Sequence, residues 1–211
     1  YDPLADVWQP IASCPGPAKY DATGFTLGNI GYVCCGSTGS APYTTTMYAY
    51  DPSTNTWTQK ASLPGNGRSG ARAFVCMGKA YVVDGWINPY STTEVWEYDA
   101  TNDTWSQRND LPATPRANGV AFAIYDHGYY GCGVDAYGNY DNDFWEYEPV
   151  GDTWIQRASY GGPDQQGGVG FAIDGYGYIG DGMISDDLFS TELWEYSPDN
   201  VGIADLGRTD E

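Results

Sequence analysis

Apolar positions in this chain fall into two short patterns that recur. In one, aromatic and charged side chains alternate, as in Val95-Trp96-Glu97-Tyr98 and Phe144-Trp145-Glu146-Tyr147. A period of two marks a strand with one buried and one wet face. In the other, small and apolar residues run on without alternation, as in residues 71–77, 119–124 and 168–173. Such runs suit strands covered on both faces. Turn signals separate the two: Leu63-Pro64-Gly65 and Leu111-Pro112 before the continuous runs, tight hairpins at Gly78-Lys79, 126–128 and 174–177 after them, and polar loops of about ten residues before the alternating strands. Each cycle predicts four antiparallel strands.

The cycle repeats in register. Trp8, Trp57, Trp105 and Trp154 lie 49, 48 and 49 residues apart, a period typical of propellers and solenoids. Phe25, Phe74, Phe122 and Phe171 keep the same spacing, as do Tyr32, Tyr81, Tyr129 and Tyr178, and Gly36, Gly85, Gly133 and Gly182. A basic residue follows the turn at Lys19, Arg68 and Arg116, with Gln165 in the fourth place.

These features resemble the kelch repeat, of the bacterial secreted type, over nearly the whole chain: the basic residue after the turn, the Tyr and terminal Gly of the second strand, the Tyr-Asp-Pro turn and the Trp that follows it. The resemblance implies an all-β, kelch-type β-propeller of four blades, each with four antiparallel strands. The expected propeller spans residues 1–200, in units of about 8–56, 57–104, 105–153 and 154–200. Residues 1–12 serve as a closing strand that joins the last blade and removes its open edge. A fragment of a larger ring is the alternative. Residues 201–211 have no repeat partner and are read as a flexible tail. In the family the second strand ends in a glycine doublet, but here its first position holds Cys35, Asp84, Cys132 and Asp181. Around a closed axis these would form a channel ring, read as polar groups hydrogen-bonded to channel water, with a cation site as the alternative.

Composition narrows the function. The formal charge of -19 on 211 residues repels phosphate backbones, which argues against nucleic acid, and no apolar run is long enough to insert in a membrane. Opening at Tyr1, the chain reads as processed or as a fragment, and its acidity fits an extracellular or cell-surface protein. The five cysteines are an odd count; Cys34 and Cys76 are a candidate disulfide, and a leftover Cys can link subunits. Asn102 opens a glycosylation acceptor sequence.

Candidate chemistry is sparse. Kelch-type copper oxidase activity of the galactose oxidase kind needs two histidines, and this chain has only His127. A sialidase-like grip on a carboxylate would use Arg68, Arg72 and Arg116, but a repeat-wide position usually serves the repeat. The loop from Asp135 to Asp143 is acidic enough for Ca²⁺ but lacks a recognised calcium-loop spacing. No other cofactor is expected, and the metal content stays open. The reading is a non-catalytic interaction or assembly module that binds protein partners or copies of itself, in a filament or array, through Tyr43, Trp86, Tyr90, Tyr137 and Tyr140. A carbohydrate-binding or carbohydrate-active propeller is the alternative.

Overall fold

The computed structural model describes residues 1–185 and 187–198; the expected tail at 201–211 lies outside them. Those residues form strands and loops and contain no helix. Blade one is an antiparallel sheet of β1 (Thr23–Leu27), β2 (Ile30–Cys34), β3 (Met47–Asp51) and β4 (Thr56–Lys60) in sequence order. Blade two is β5 (Arg72–Cys76), β6 (Lys79–Val83), β7 (Val95–Asp99) and β8 (Thr104–Arg108). The short β9 (Arg116–Ala117) precedes blade three, which is β10 (Val120–Ile124), β11 (His127–Gly131), β13 (Phe144–Glu148) and β14 (Thr153–Arg157); its loop strand β12 (Val134–Asp135) pairs with β9. Blade four holds β15 (Val169–Ile173), β16 (Tyr176–Gly180) and β19 (Leu193–Tyr196), with the small ribbon β17 (Met183–Ser185) and β18 (Leu188–Phe189) in its loop.

The sequence unit is therefore a blade cut one strand too early. The strand after each Trp turn closes the outside of the preceding sheet, so Tyr50 pairs with Trp57, Tyr98 with Trp105 and Tyr147 with Trp154. Their rings lie 4.8–5.0 Å apart at the outer edge.

Blades pack face to face through their inner strands, β1 on β5, β5 on β10 and β10 on β15. The contact is an aromatic ring set where the neighbour has little or no side chain. A Cβ added at Gly128 would lie 2.0 Å from the Phe74 ring, and one at Gly177 2.3 Å from Phe122. Phe25 fills the matching place over Ala80 in the first interface. Tyr32 and Tyr98, then Tyr81 and Tyr147, meet edge-on beside these rings.

A second set of links runs along the outer edge. The Trp57, Trp105 and Trp154 indoles donate to the carbonyls of Ala12, Ala61 and Asn109 at 2.8, 2.8 and 3.1 Å. The left-handed turn residues Asn55, Asp103 and Asp152 accept the amides of the same three residues and the hydroxyls of Tyr50, Tyr98 and Tyr147. Short polar Asx residues tolerate that conformation and supply the acceptor.

The expected closure by residues 1–12 is not formed. Blade four has three strands among the described residues, and no packing comparable to the other interfaces joins it to blade one. Asp2 bridges to Val7 instead, and Tyr1 donates to Asp6 at 2.6 Å. The reason lies in the repeat: Tyr1 holds the same place as Tyr50, Tyr98, Tyr147 and Tyr196, so the first eight residues carry their own copy of the outer turn. They hairpin on it, with Tyr1 and Trp8 rings 5.2 Å apart, and Trp8 stays 82% exposed. The open face of blade four leaves Val169, Phe171, Ile173 and Leu193 exposed. The matching face of blade one offers empty space at Gly31, the counterpart of Gly128 and Gly177.

Asp103→Ala removes the acceptor of Ala61 N–H (2.9 Å) and of the Tyr98 hydroxyl (2.7 Å) together. A hydrogen bond to a charged group contributes about 1.5–3 kcal/mol, so the substitution should cost at least about 2 kcal/mol in urea unfolding, with an unchanged slope. Asp110→Ala, which touches only the exposed Thr93 hydroxyl, is the control.

Candidate functional site

The inner strands β1, β5, β10 and β15 begin at one end of the arc, and the loops that follow β2, β6 and β11 gather there. Residues 22–24, Arg72, Ala73, Val120, Ala121 and 168–170 surround a cavity of about 290 Å³ between the inner strands. At its mouth lies a pocket of about 330 Å³ lined by Tyr20, Asp21, Tyr43, Trp86, Asn118 and Asp135, with Ser69 and Gly70 at its floor. Three aromatic rings and several polar groups from three blades converge there.

Of the aromatic residues expected to bind, Tyr43 and Trp86 line this pocket. Tyr90 and Tyr137 are 67% and 91% exposed on the neighbouring loops. Tyr140 has a structural role instead, its hydroxyl donating to Met183 Sδ at 3.2 Å and accepting from Gln166 at 3.2 Å. Tyr20, Asp21, Ser69 and Asn118 were not anticipated. Their signal was a column of left-handed residues, Asp21, Gly70, Asn118 and Gly167, at the period of the repeat. Gly70 N–H donates to Asp21 O, Asn118 N–H to Gly70 O and Gly167 N–H to Asn118 O at 3.0, 2.8 and 2.7 Å, so this column stitches the blades around the mouth.

The basic column supports the mouth from below. Arg68 and Arg116 are buried. Arg68 donates to the Asp84 carbonyl at 3.2 Å and to Glu94 at 2.5 Å, and Arg116 to the Cys132 carbonyl at 3.3 Å and, in bidentate fashion, to Asp143. Burial pushes the Glu94 carboxyl up, but the Trp96 indole and Arg68 hold it below its usual value. Lys19 reaches Thr46 at 3.4 Å. Arg68 and Arg116 hold strand ends, as a position kept through the repeat does. Asp141 also faces Arg116 at 3.4 Å, and Asp135 accepts from Tyr137 N–H, Asn139 N–H and the Asn139 amide, so the carboxylates of the acidic loop are engaged within it. Among the described residues no group of three or more metal-ligating side chains comes together. His127 sits 3.9 Å from Glu146, and Asn102 occupies an exposed turn with its amide on Asp99.

The expected channel ring of Cys35, Asp84, Cys132 and Asp181 does not form. Each residue has positive φ (65, 58, 57 and 55°). Cys35, Asp84 and Cys132 are fully buried, Asp84 among Arg68, Arg116 and Tyr130 and Cys132 beside Gln165, whereas Asp181 is exposed on the open blade. The expected Cys34–Cys76 bridge is absent as well, and all five cysteines are unbridged. Cys34 ends β2 at the mouth, while Cys76 ends β5 at the opposite hairpin, four residues or about 13 Å further along the blade. The sulfur neighbour of Cys34 is Cys35, at 3.1 Å.

Comparison with known proteins fits this architecture. A model of the kelch motif matches residues 20–64. The solved "Structure of YjhT" superposes with a TM-score of 0.73 at 19% sequence identity, over 83% of this chain and 63% of that one. This chain is a β-propeller carrying a kelch motif. It spans less than two thirds of that structural neighbour, whose likeness at this identity extends to the fold alone. No curated protein sequence matches it.

In this propeller burial opposes the ionisation of Asp84. Neither of its oxygens nor the facing Tyr130 hydroxyl meets hydrogen-bonding geometry, and burial pushes the carboxyl up to about 8 despite Tyr130 and the two arginines. An acid raised from 3.8 to about 8 keeps its proton in the folded state. The folded state therefore loses stability relative to the unfolded chain from about pH 4 upward, and the loss is complete above about pH 8. Asp84→Asn removes this term. Its melting temperature should gain on the wild type progressively between pH 5 and pH 8, by several degrees at pH 8; a pH-independent difference in thermal melts would contradict the assignment.

Proposed function

We propose that this chain is a protein-interaction module that acts outside the cell or at its surface and binds basic segments of partner proteins at the mouth of its channel. The observation that carries the reading is the mouth pocket, where Tyr20, Tyr43 and Trp86 converge with Asp21 and Asp135. Aromatic side chains give large contact area at low entropic cost, and clustered near the centre of a patch they dominate binding. The Asp21 carboxylate and the formal charge of -19 favour a partner carrying Lys or Arg. Kelch propellers commonly mediate protein interactions, which supports the same reading.

A second reading, self-association, has its own observation. Phe171 is 39% exposed on one open face, and the place its ring would enter is vacant beside Gly31 on the other. The two faces have the knob and the socket of the internal interfaces, so a second copy can dock head to tail, and repetition gives an array.

Selection of random peptides on the wild type should enrich Lys- and Arg-containing sequences, and the Tyr43→Ala, Trp86→Ala double variant should weaken their binding by about tenfold or more. Enrichment of nothing, with hits on a glycan array instead, would replace this reading with the carbohydrate one. For self-association, light scattering during size exclusion should show mass rising with concentration, lost in Phe171→Asp and in Gly31→Trp. A monomer at every concentration would remove the second reading and leave the first intact.

A further inference from the structure

Cys34 and Cys35 are adjacent in sequence, and their sulfurs are adjacent in space. Successive side chains of a strand point to opposite faces, which keeps neighbouring sulfurs apart. Here the strand ends between them. Cys34 is the last residue of β2, and Cys35 takes φ 65°, which swings its Sγ to within 3.1 Å of Cys34 Sγ. That left-handed residue belongs to the repeat, since Asp84, Cys132 and Asp181 share it, but the residues before them are Val83, Gly131 and Gly180. Only blade one puts two thiols on this corner. Both side chains are fully buried, so no solvent separates the sulfurs.

We propose that Cys34 and Cys35 form a vicinal disulfide, a covalent corner at the channel-mouth end of blade one. The oxidant is a low-molecular-weight disulfide of the surroundings. The Cys35 thiolate attacks one of its sulfurs, forming a mixed disulfide and expelling one small thiolate. The Cys34 thiolate then attacks Cys35 Sγ, closes the ring and expels the second. Two protein thiols lose two electrons and two protons, and the small disulfide leaves as two thiols. Attack in the reverse order closes the same ring with the same balance. Because both sulfurs are buried in the closed structure, the exchange takes place while blade one is open to solvent, as during folding.

The bridge would act on the mouth directly. Cys35 N–H donates to Thr46 O at 3.1 Å and Gly36 N–H to Arg68 O at 2.8 Å, so the corner carries a link between blades one and two. Consecutive Cα atoms are about 3.8 Å apart, below the usual disulfide range of about 4.4–6.8 Å, so the bond is of the strained, easily reduced kind.

The test counts labels. The full chain is refolded with hydroxyethyl disulfide, quenched in acid, unfolded in guanidinium without reductant, alkylated and mapped by mass spectrometry. Cys14, Cys76 and Cys132 should take label, and the peptide holding Cys34 and Cys35 should take none and be two hydrogens lighter, gaining both labels after reduction. The Cys35→Ala variant should then label Cys34. Label on both residues in the unreduced wild type, or a bridge from either to another cysteine, overturns the proposal.

Discussion

Each blade is held to the next by an aromatic ring driven into a place where the neighbour gives up its side chain. Phe74 over Gly128 and Phe122 over Gly177 leave no room for even a methyl group, and Phe25 over Ala80 leaves room for one. Close-packed interiors tolerate little change of volume, so this contact fixes both the distance and the angle between sheets. Everything that crosses from blade to blade depends on that spacing. The indole bonds of Trp105 and Trp154 reach the preceding linker only if the outer edges meet, and the backbone bonds from Asp21 to Gly70 to Asn118 to Gly167 close only if the inner edges do.

The buried arginines belong to the same scheme. Arg68 and Arg116 lie where two strand ends expose carbonyls at the mouth, and each is matched by the carboxylate of the residue just before the third strand of its own blade. A buried cation is stable only when paired and hydrogen-bonded, so these pairs are part of the frame that positions the mouth loops. With the frame satisfied internally, the groups left for a partner are those at the rim: the rings of Tyr20, Tyr43 and Trp86 and the carboxylate of Asp21.

The blade was legible in the sequence because period, alternation and turn chemistry agree there, as in Val95-Trp96-Glu97-Tyr98 beside its Asx turn. So was the place of the Trp strand, since Trp57 opens the fourth strand of a blade and pairs with Tyr50. Closure was misjudged: residues 1–8 match an outer strand, but they also carry Tyr1 and Asp6, the means to hairpin alone. Of the site, Tyr43 and Trp86 were found as loop aromatics, whereas the column of Cys35, Asp84, Cys132 and Asp181 was placed in the channel because the glycine doublet it interrupts lies near the channel mouth in the kelch family; each residue sits just past a strand end, and a strand pattern predicts which face a residue takes only while the strand lasts. A positive φ ends that rule, and sequence marks it plainly only when the residue is Gly.

The account holds that the blades form one interlocked body rather than four sheets strung together. Amide hydrogen exchange followed by NMR measures this at the amides that cross between blades, those of Gly70, Gly85, Asn118, Gly133 and Gly167. They should exchange together, at the rate of the slowest core amides, because none can open without parting two sheets. Exchange at these positions that is fast, or that differs blade by blade while the strands within each sheet stay protected, would contradict it.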